Sequence, residues 1–265
     1  MLIPVTRDNY FSLEIERQYM SRSQYEGFLE CEAQAVARLQ GEWSEDSSAE
    51  LLVGSYVHSW HDGTMHDFMA NTPQMFTQKL TLRSEFKQAD AMIETLKNDQ
   101  FIMYLLEDGQ KEVIFTAEFA GVWWKIRIDN YKPEKRRMID LKTTKSITGH
   151  VWDEEAWGKV SFVEKYNYPL QAAIYSEIER KANERPEEDW FDFYIVAVSK
   201  QDPPDKAVID MRSPERYIQE LSQIKANMPK ILAVKNKEVE PVRCELCSYC
   251  RSTKQLAKTI HYSLL

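Results

Sequence analysis

Three side chains in one short stretch could do chemistry together. The segment "RIDNYKPEKRRMIDLKT", from Arg127 to Thr143, carries Asp129, Asp140 and Lys142. On a strand, residues i and i+2 face the same side. "MIDLK" therefore puts Asp140 and Lys142 on one face and Ile139 and Leu141 on the other. Asp129 closes the preceding strand, "KIRID", and a turn of a few residues brings its side chain toward Asp140. Two carboxylates that close repel, and one tends to stay protonated unless a cation sits between them. Hard oxygen ligands suit Mg2+ or Mn2+. A lysine beside such a site can position a water or offset charge on a phosphate, which is the chemistry of metal-assisted phosphodiester hydrolysis. An isolated D-x-K is usually a surface ion pair of little energetic weight. The second aspartate and the apolar alternation argue for a site.

A second group is the cysteines. Cys244, Cys247 and Cys250 form a C-x2-C-x2-C run, and Cys31 lies far upstream. This spacing can hold three corners of a 4Fe–4S cubane, with Cys31 as the fourth ligand. Zinc is the alternative, and four reduced, unliganded thiols the plainer one. Four cysteines in 265 residues make no disulfide framework.

The elements that must position these groups can be read from periodicity. "SRSQYEGFLECEAQAVARLQG" predicts one helix ending at Gly41. Leu52, Val53, Tyr56, Val57 and Trp60 recur at helical spacing, with Gly63 as the stop. At least one more helix precedes "DGQ". From residue 111 the texture changes, and Val, Ile, Phe, Trp and Thr predict three antiparallel strands at about 111–119, 122–131 and 136–144. "YPLQAAIYSEIERKAN" predicts a helix with Pro169 in its first turn. "DWFDFYIVAVSK" and "PPDKAVIDMRS" read as strands, and "SPERYIQELSQIKANMPKILAVKN" as a last helix. The expectation is an α/β chain acting as a single domain over 1–265. Within it, 1–110 is a helical N-terminal part, 111–235 a catalytic core and 236–265 a cysteine-bearing C-terminal segment.

The motifs together resemble the PD-(D/E)XK nuclease superfamily, in which an aspartate and a (D/E)-x-K motif occupy adjacent strands. "GSYVH" resembles the upstream histidine motif of its RecB/RecE-like branch, and "PLQAAIY" the downstream Gln-x-x-x-Tyr motif. The cysteine order resembles the iron–sulfur nucleases of that branch. The match is to phage-type RecE-like exodeoxyribonucleases, with an exonuclease VIII-type nuclease domain. The resemblance implies a restriction-endonuclease-like core, an antiparallel three-strand motif plus further strands flanked by helices. It implies metal ligation by His58, Asp129, Asp140 and the Leu141 carbonyl. It assigns Lys142 to the attacking water, Gln171 and Tyr175 to DNA contact or bracing, and Cys31, Cys244, Cys247 and Cys250 to a cluster. The implied activity is digestion of linear duplex DNA ends into single strands for recombination. A single-strand annealing protein is the implied partner, and oligomeric rings occur among the relatives. A CRISPR-associated or helicase-linked iron–sulfur nuclease and a non-catalytic DNA-binding module are the alternatives.

Other features are less committed. Alone, His58 would read as a locally satisfied helix histidine; His61 and His66 follow at a spacing that disfavours a zinc site. Glu118, on the strand "IFTAEF", is a candidate to support the site or a plain exposed acid. The basic turn "KPEKRR" is a candidate phosphate contact. The net charge of −8 weighs mildly against nucleic acid. No apolar run approaches membrane length and no signal peptide is evident, so a cytoplasmic location is expected.

Overall fold

The computed structural model describes residues 2–45, 48–153, 157–256, 259, 261 and 263. Its centre is a five-stranded sheet in the order β1-β2-β3-β6-β7. The strands are β1 (Gln110–Phe119), β2 (Val122–Lys132), β3 (Arg137–Thr144), β6 (Asp192–Ser199) and β7 (Lys206–Asp210). β1, β2 and β3 are joined by tight turns and pair antiparallel; β3 and β6 pair parallel, and β6 and β7 antiparallel. The parallel pair requires a crossover, which α8 (Phe162–Lys165) and α9 (Tyr168–Ala182) supply. A small hairpin, β4 (His150–Asp153) and β5 (Gly158–Ser161), lies outside the main sheet. The sequence reading missed it, because "HVWD" and "GKVS" are too short and too mixed to show alternation.

β3 explains how the layers are set. Met138 faces a core built with Trp124, Ile126 and Ile128 of β2, Ile174 and Ile178 of α9 and Ile224 and Met228 of α10 (Pro214–Lys235). Ile139 and Leu141 face a second core with Val53 and Val57 of α4 (Ala49–Asp62), Met92 and Leu96 of α6 (Ser84–Lys97) and Ile102 and Leu106 of α7 (Gln100–Glu107). Each fully buried Ile or Leu contributes about 1.5–3 kcal/mol, and a one-residue slip of β3 would turn Asp140 and Lys142 into the second core. The sheet is covered by helices on both sides, and Asp140 points to the side covered by α9. α5 (Met65–Asn71) follows α4 after Gly63, whose left-handed φ of 82° closes the helix as its sequence signal suggests.

The N-terminal elements are α1 (Leu13–Gln18), α2 (Arg22–Glu30) and α3 (Glu32–Gln40). The expected single helix from Ser21 to Gly41 is two. Cys31 is extended (φ −162°, ψ 105°), ending α2 and opening α3. Helical spacing continues through both halves and neither Gly nor Pro stands at the break, so periodicity alone does not reveal it. α11 (Ser248–Ser252) closes the described cysteine segment. Among the described residues no helix is long and apolar enough to cross a membrane.

Candidate metal centre and cysteine cluster

The site forms where two strands part. β2 and β3 pair only at Asn130–Ile139, Tyr131–Met138 and Lys132–Arg137. Beyond that, β2 stays with β1 and β3 with β6. The fork leaves strand N–H groups that must find partners. The N–H of Leu141 donates to Asp129 Oδ2 at 2.7 Å, and both residues are buried. Asp129 thus lies inside β2, three residues before its end, and replaces the missing strand partner. In an extended strand the N–H and C=O of one residue point to the same edge, so the Leu141 carbonyl is also directed into the fork.

Asp140 sits beside it. Gln171 of α9 donates to Asp140 Oδ1 at 2.6 Å, and Lys142 Nζ lies 2.6 Å from Oδ2 as an ion pair without full hydrogen-bond geometry. Burial pushes the Asp140 carboxyl up; Lys142 opposes this and Asp129 adds to it. Burial pulls the Lys142 ammonium down, but the Asp140 and Asp129 carboxylates outweigh it and hold it above its ordinary value. Lys142 also lies 5.2 Å from the centre of the Tyr168 ring. The spacing argument that placed Asp140 and Lys142 together is met, and Asp140, 3% exposed, is no surface ion-pair partner.

From the opposite face α4 delivers two histidines. His58 Nδ1 lies 3.5 Å from Asp129 Oδ2. His61 Nε2 lies 3.2 Å from the Asp129 carbonyl oxygen. Burial pulls the His61 ring below its ordinary value, with Asp129 opposing, which favours a neutral ring donating from Nε2 to that carbonyl. His66 is exposed and pairs with Asp67.

Glu112, which the sequence reading did not select, completes the group. It is buried on β1, at φ 55°, a left-handed conformation rare for a residue with a side chain. Arg127 Nε lies 2.9 Å from Glu112 Oε2. Burial pushes the Glu112 carboxyl up, Asp129 adds to this and Arg127 opposes it. One ligand atom each from His58, Glu112 and Asp129 lies within 4.8 Å of the others. Ligands of one octahedral ion at ~2.1 Å lie about 3.0 Å apart when adjacent and about 4.2 Å when opposite. Two carboxylates and an imidazole at this separation fit a Mg2+- or Mn2+-type ion. Asp140, expected among the ligands, is outside this tightest set; its oxygens face Gln171 and Lys142. Register offered a signal for Glu112. Lys111–Asn130 and Val113–Ile128 are partners, which puts Glu112 level with Asp129.

The other expected residues fall as follows. Gln171 bridges, since Arg22 Nη1 approaches its Oε1 at 3.5 Å while it donates to Asp140. Tyr175, one turn further along α9, packs edge-on against Phe193 at 5.9 Å, and burial raises its hydroxyl well above the ordinary value. Glu118 is exposed opposite Trp123, six residues along β1 from Glu112, or about 20 Å at strand rise. The basic turn is largely neutralised: Lys132 and Arg137 pair with Asp108, and Arg136 with Asp189.

The cysteines meet as expected. The Sγ atoms of Cys31, Cys244, Cys247 and Cys250 all lie within 4.8 Å of one another; Cys31–Cys250 is 3.6 Å and Cys244–Cys250 is 3.9 Å. The break at Cys31 is what frees its side chain to turn toward the C-terminal loop. The backbone N–H groups of Cys247 and Leu246 hold the Cys244 thiol down to about 6. A tetrahedral Zn2+ with Zn–S of ~2.3 Å places its thiolates about 3.8 Å apart. In a cubane each thiolate binds a different iron, so the sulfurs stand further apart.

Comparison with known proteins gives two results of weight. A family described as "PDDEXK-like domain of unknown function (DUF3799)" matches residues 21–253. A crystal structure at 2.19 Å from Eubacterium rectale, of a protein described as a "putative exonuclease", superposes with a TM-score of 0.91. Its sequence is 38% identical, covering 98% of this chain and 97% of that one. A second structure, SSO0001, aligns at a TM-score of 0.30 and 12% identity over 86% of this chain and 91% of that chain, too little to bear on the fold. No curated protein sequence matches significantly.

Proposed function

The chain belongs to this family of PDDEXK-like domains, and from that premise we propose that it is a metal-dependent exodeoxyribonuclease acting on the ends of linear duplex DNA, leaving single strands for recombination. One observation carries the reading. The β2–β3 fork gathers His58, Glu112, Asp129 and the Asp140–Lys142 pair around a buried point that helices approach from both faces.

The residues divide the work by their chemistry. His58, Glu112 and Asp129, with the Leu141 carbonyl beside them, would hold Mg2+ or Mn2+, and Asp140 borders the same space. The ion supplies Lewis acidity toward the phosphate and lowers the pKa of the attacking water. Lys142, held charged by Asp140 and Asp129, orients that water and offsets charge developing on the phosphate. Gln171 fixes the Asp140 carboxylate, and Arg22 reaches the far side of Gln171, where a phosphate oxygen can compete for its guanidinium. His61 fixes the backbone of Asp129. Tyr175 braces α9 against β6.

For the cysteine cluster the reading is a structural site. The separations of 3.6 and 3.9 Å suit one tetrahedral ion, which favours zinc over a 4Fe–4S cluster. The site ties α2 and α3 to the C-terminal segment, so residues 1–265 work as one unit. Reduced thiolates fit a cytoplasmic location. Metal analysis should give close to one zinc per chain; iron with a broad absorption near ~400 nm would replace zinc by the cluster.

The functional test is digestion of linear and covalently closed circular duplex with Mg2+ or Mn2+, against chelator. The expected result is loss of the linear form alone, and only with metal. Equal attack on the circle would make the enzyme an endonuclease. No hydrolysis of either form would leave a non-catalytic DNA-binding module.

A further inference from the structure

Beside the candidate centre the chain exposes rings that a fold normally buries. Trp152 is 54% exposed, Trp157 81% and Tyr166 50%. Trp152 and Trp157 sit on the β4–β5 hairpin and pack edge-on, with centroids 6.3 Å apart. Tyr166 follows α8. Trp152 and Tyr166 line one groove of about 600 Å³, with Arg22, Asn167, Lys165 and Leu29.

The groove adjoins the centre through Arg22, which lines it, and through Tyr168, which is buried between the two. Lys142 and Arg22 lie 5.2 and 5.8 Å from the middle of the Tyr168 ring. The Tyr166 ring lies 6.0 Å from that of Tyr168. Arg22 also donates to the Tyr166 carbonyl while reaching Gln171. Tyr168 thus packs between Lys142 and Tyr166, and the exposed faces of Tyr166 and Trp152 share the groove, with Trp157 against Trp152.

We propose that this groove and the β4–β5 hairpin bind the unpaired bases of a single DNA strand at the active site, by stacking on Tyr166, Trp152 and Trp157; this rests on the nuclease reading above. Charge selects bases over phosphates as the groove's occupant. Glu26, Glu30 and Asp153 share the lining with Arg22 and Lys165, and Lys165 pairs with Asp153 at 3.2 Å. Such a mixed wall repels a phosphate backbone about as much as it attracts one. Aromatic faces accept any base, and each stacked base adds affinity without sequence preference. An intact duplex keeps its bases paired and stacked, so the rings select a strand already separated.

The test compares the wild type with Trp152→Ala/Trp157→Ala, with Ca2+ in place of Mg2+ or Mn2+ so that cleavage is suppressed and the cysteine site keeps its metal. The probes are a fluorescein-labelled oligothymidylate, a blunt duplex and the same duplex with a single-stranded tail. The double variant should bind the oligothymidylate and the tailed duplex about 10- to 100-fold more weakly, with blunt-duplex binding within about twofold. The salt dependence of binding should keep its slope, because no phosphate contact is lost. Trp152→Phe/Trp157→Phe keeps flat rings and should bind as the wild type, which separates stacking from any folding defect. Unchanged affinity in the alanine variant, or an equal loss on blunt and tailed duplex, would overturn the proposal. Mn2+-dependent hydrolysis of bis(p-nitrophenyl) phosphate by the wild type tests the nuclease reading separately from the binding series. Failure of the wild type to hydrolyse it, or any DNA, would overturn the nuclease reading, while the binding series still decides whether the rings hold bases.

Discussion

The strand fork and the cysteine cluster each gather ligand-type side chains, yet the chain builds them in opposite ways. The fork takes Asp129, Asp140 and Lys142 from two sequence-adjacent strands, and its carboxylates are fixed by the register of a sheet with cores on both faces, with His58 carried by α4 packed on one of them. The cluster takes Cys31 and Cys250 from positions 219 residues apart and needs a broken helix to expose one thiol. Hard donors on a rigid frame suit an ion that exchanges substrate and water; soft donors joining distant segments suit an ion that holds the fold. The fork should govern rate, and the cluster stability.

The largest expected effect breaks the fork. Asp140→Asn should lower DNA hydrolysis by at least about a hundredfold. Its melting temperature should stay within a few degrees of the wild type, because relief of the repulsion with Asp129 offsets loss of the Lys142 ion pair. Rate assays and thermal melting on the same preparation check both halves. A variant with full Mg2+-dependent activity would remove Asp140 from the mechanism.

Cys250→Ser should do the reverse. Loss of one of four thiolates should lower the melting temperature by about 5–10 °C, as a ~3 kcal/mol loss would in a chain of this size. Activity per folded molecule at low temperature should stay within about threefold of wild type, since no cysteine is among the residues placed at the fork. Calorimetry and metal analysis check it. A catalytic collapse without loss of stability would mean the two regions are coupled.

Glu112→Gln sharpens the fork itself. At low Mn2+ the rate should fall about 10- to 100-fold, and excess Mn2+ should recover part of it, as expected for a weakened ligand. A Mn2+ titration of the rate measures this. An unshifted titration would leave Glu112 as a partner of Arg127 alone.

The smallest effect concerns a second link between the chain's two ends. Lys235, in the last turn of α10, donates to the Glu16 and Tyr19 carbonyls and to Gln24. Burial pulls its ammonium down to about 8, with Glu16 opposing and Lys125 adding. Between about 8 and the ordinary value of 10.5 the unfolded chain binds more protons than the folded one. The penalty is full below about pH 8 and is relieved as pH rises through that window, so stability gains with pH there. Denaturant unfolding of the wild type and Lys235→Met should show this rise in the wild type and a flatter profile in the variant. Parallel profiles would mean that Lys235 titrates normally.

How far each region was legible in the sequence follows from how it is built. "MIDLK" shows its two faces because alternation is a local property, and the three strands fall within a residue or two of their expected bounds. Asp129 and Asp140 lie beside one another because β2 parts from β3 there, not because of the turn on which the spacing argument relied. Glu112 was hidden because its left-handed φ turns a side chain out of simple alternation; Glu118 looked equivalent in composition and lies at the exposed end. The break at Cys31 was hidden because helix periodicity continues across it. The cysteine grouping was legible from composition alone, since three thiols in seven residues leave one ligand to find and the chain has one other cysteine. The β4–β5 hairpin was not, because "HVWD" and "GKVS" are too short and mixed to show alternation.

The account stands on a divalent ion at the fork, and a crystal of the wild type soaked in Mn2+ tests this most directly. Anomalous difference density collected near the manganese edge should show a peak bonded to His58, Glu112 and Asp129, with Asp140 and the Leu141 carbonyl beside it. No peak there at saturating Mn2+, or manganese bound only elsewhere on the chain, would contradict it.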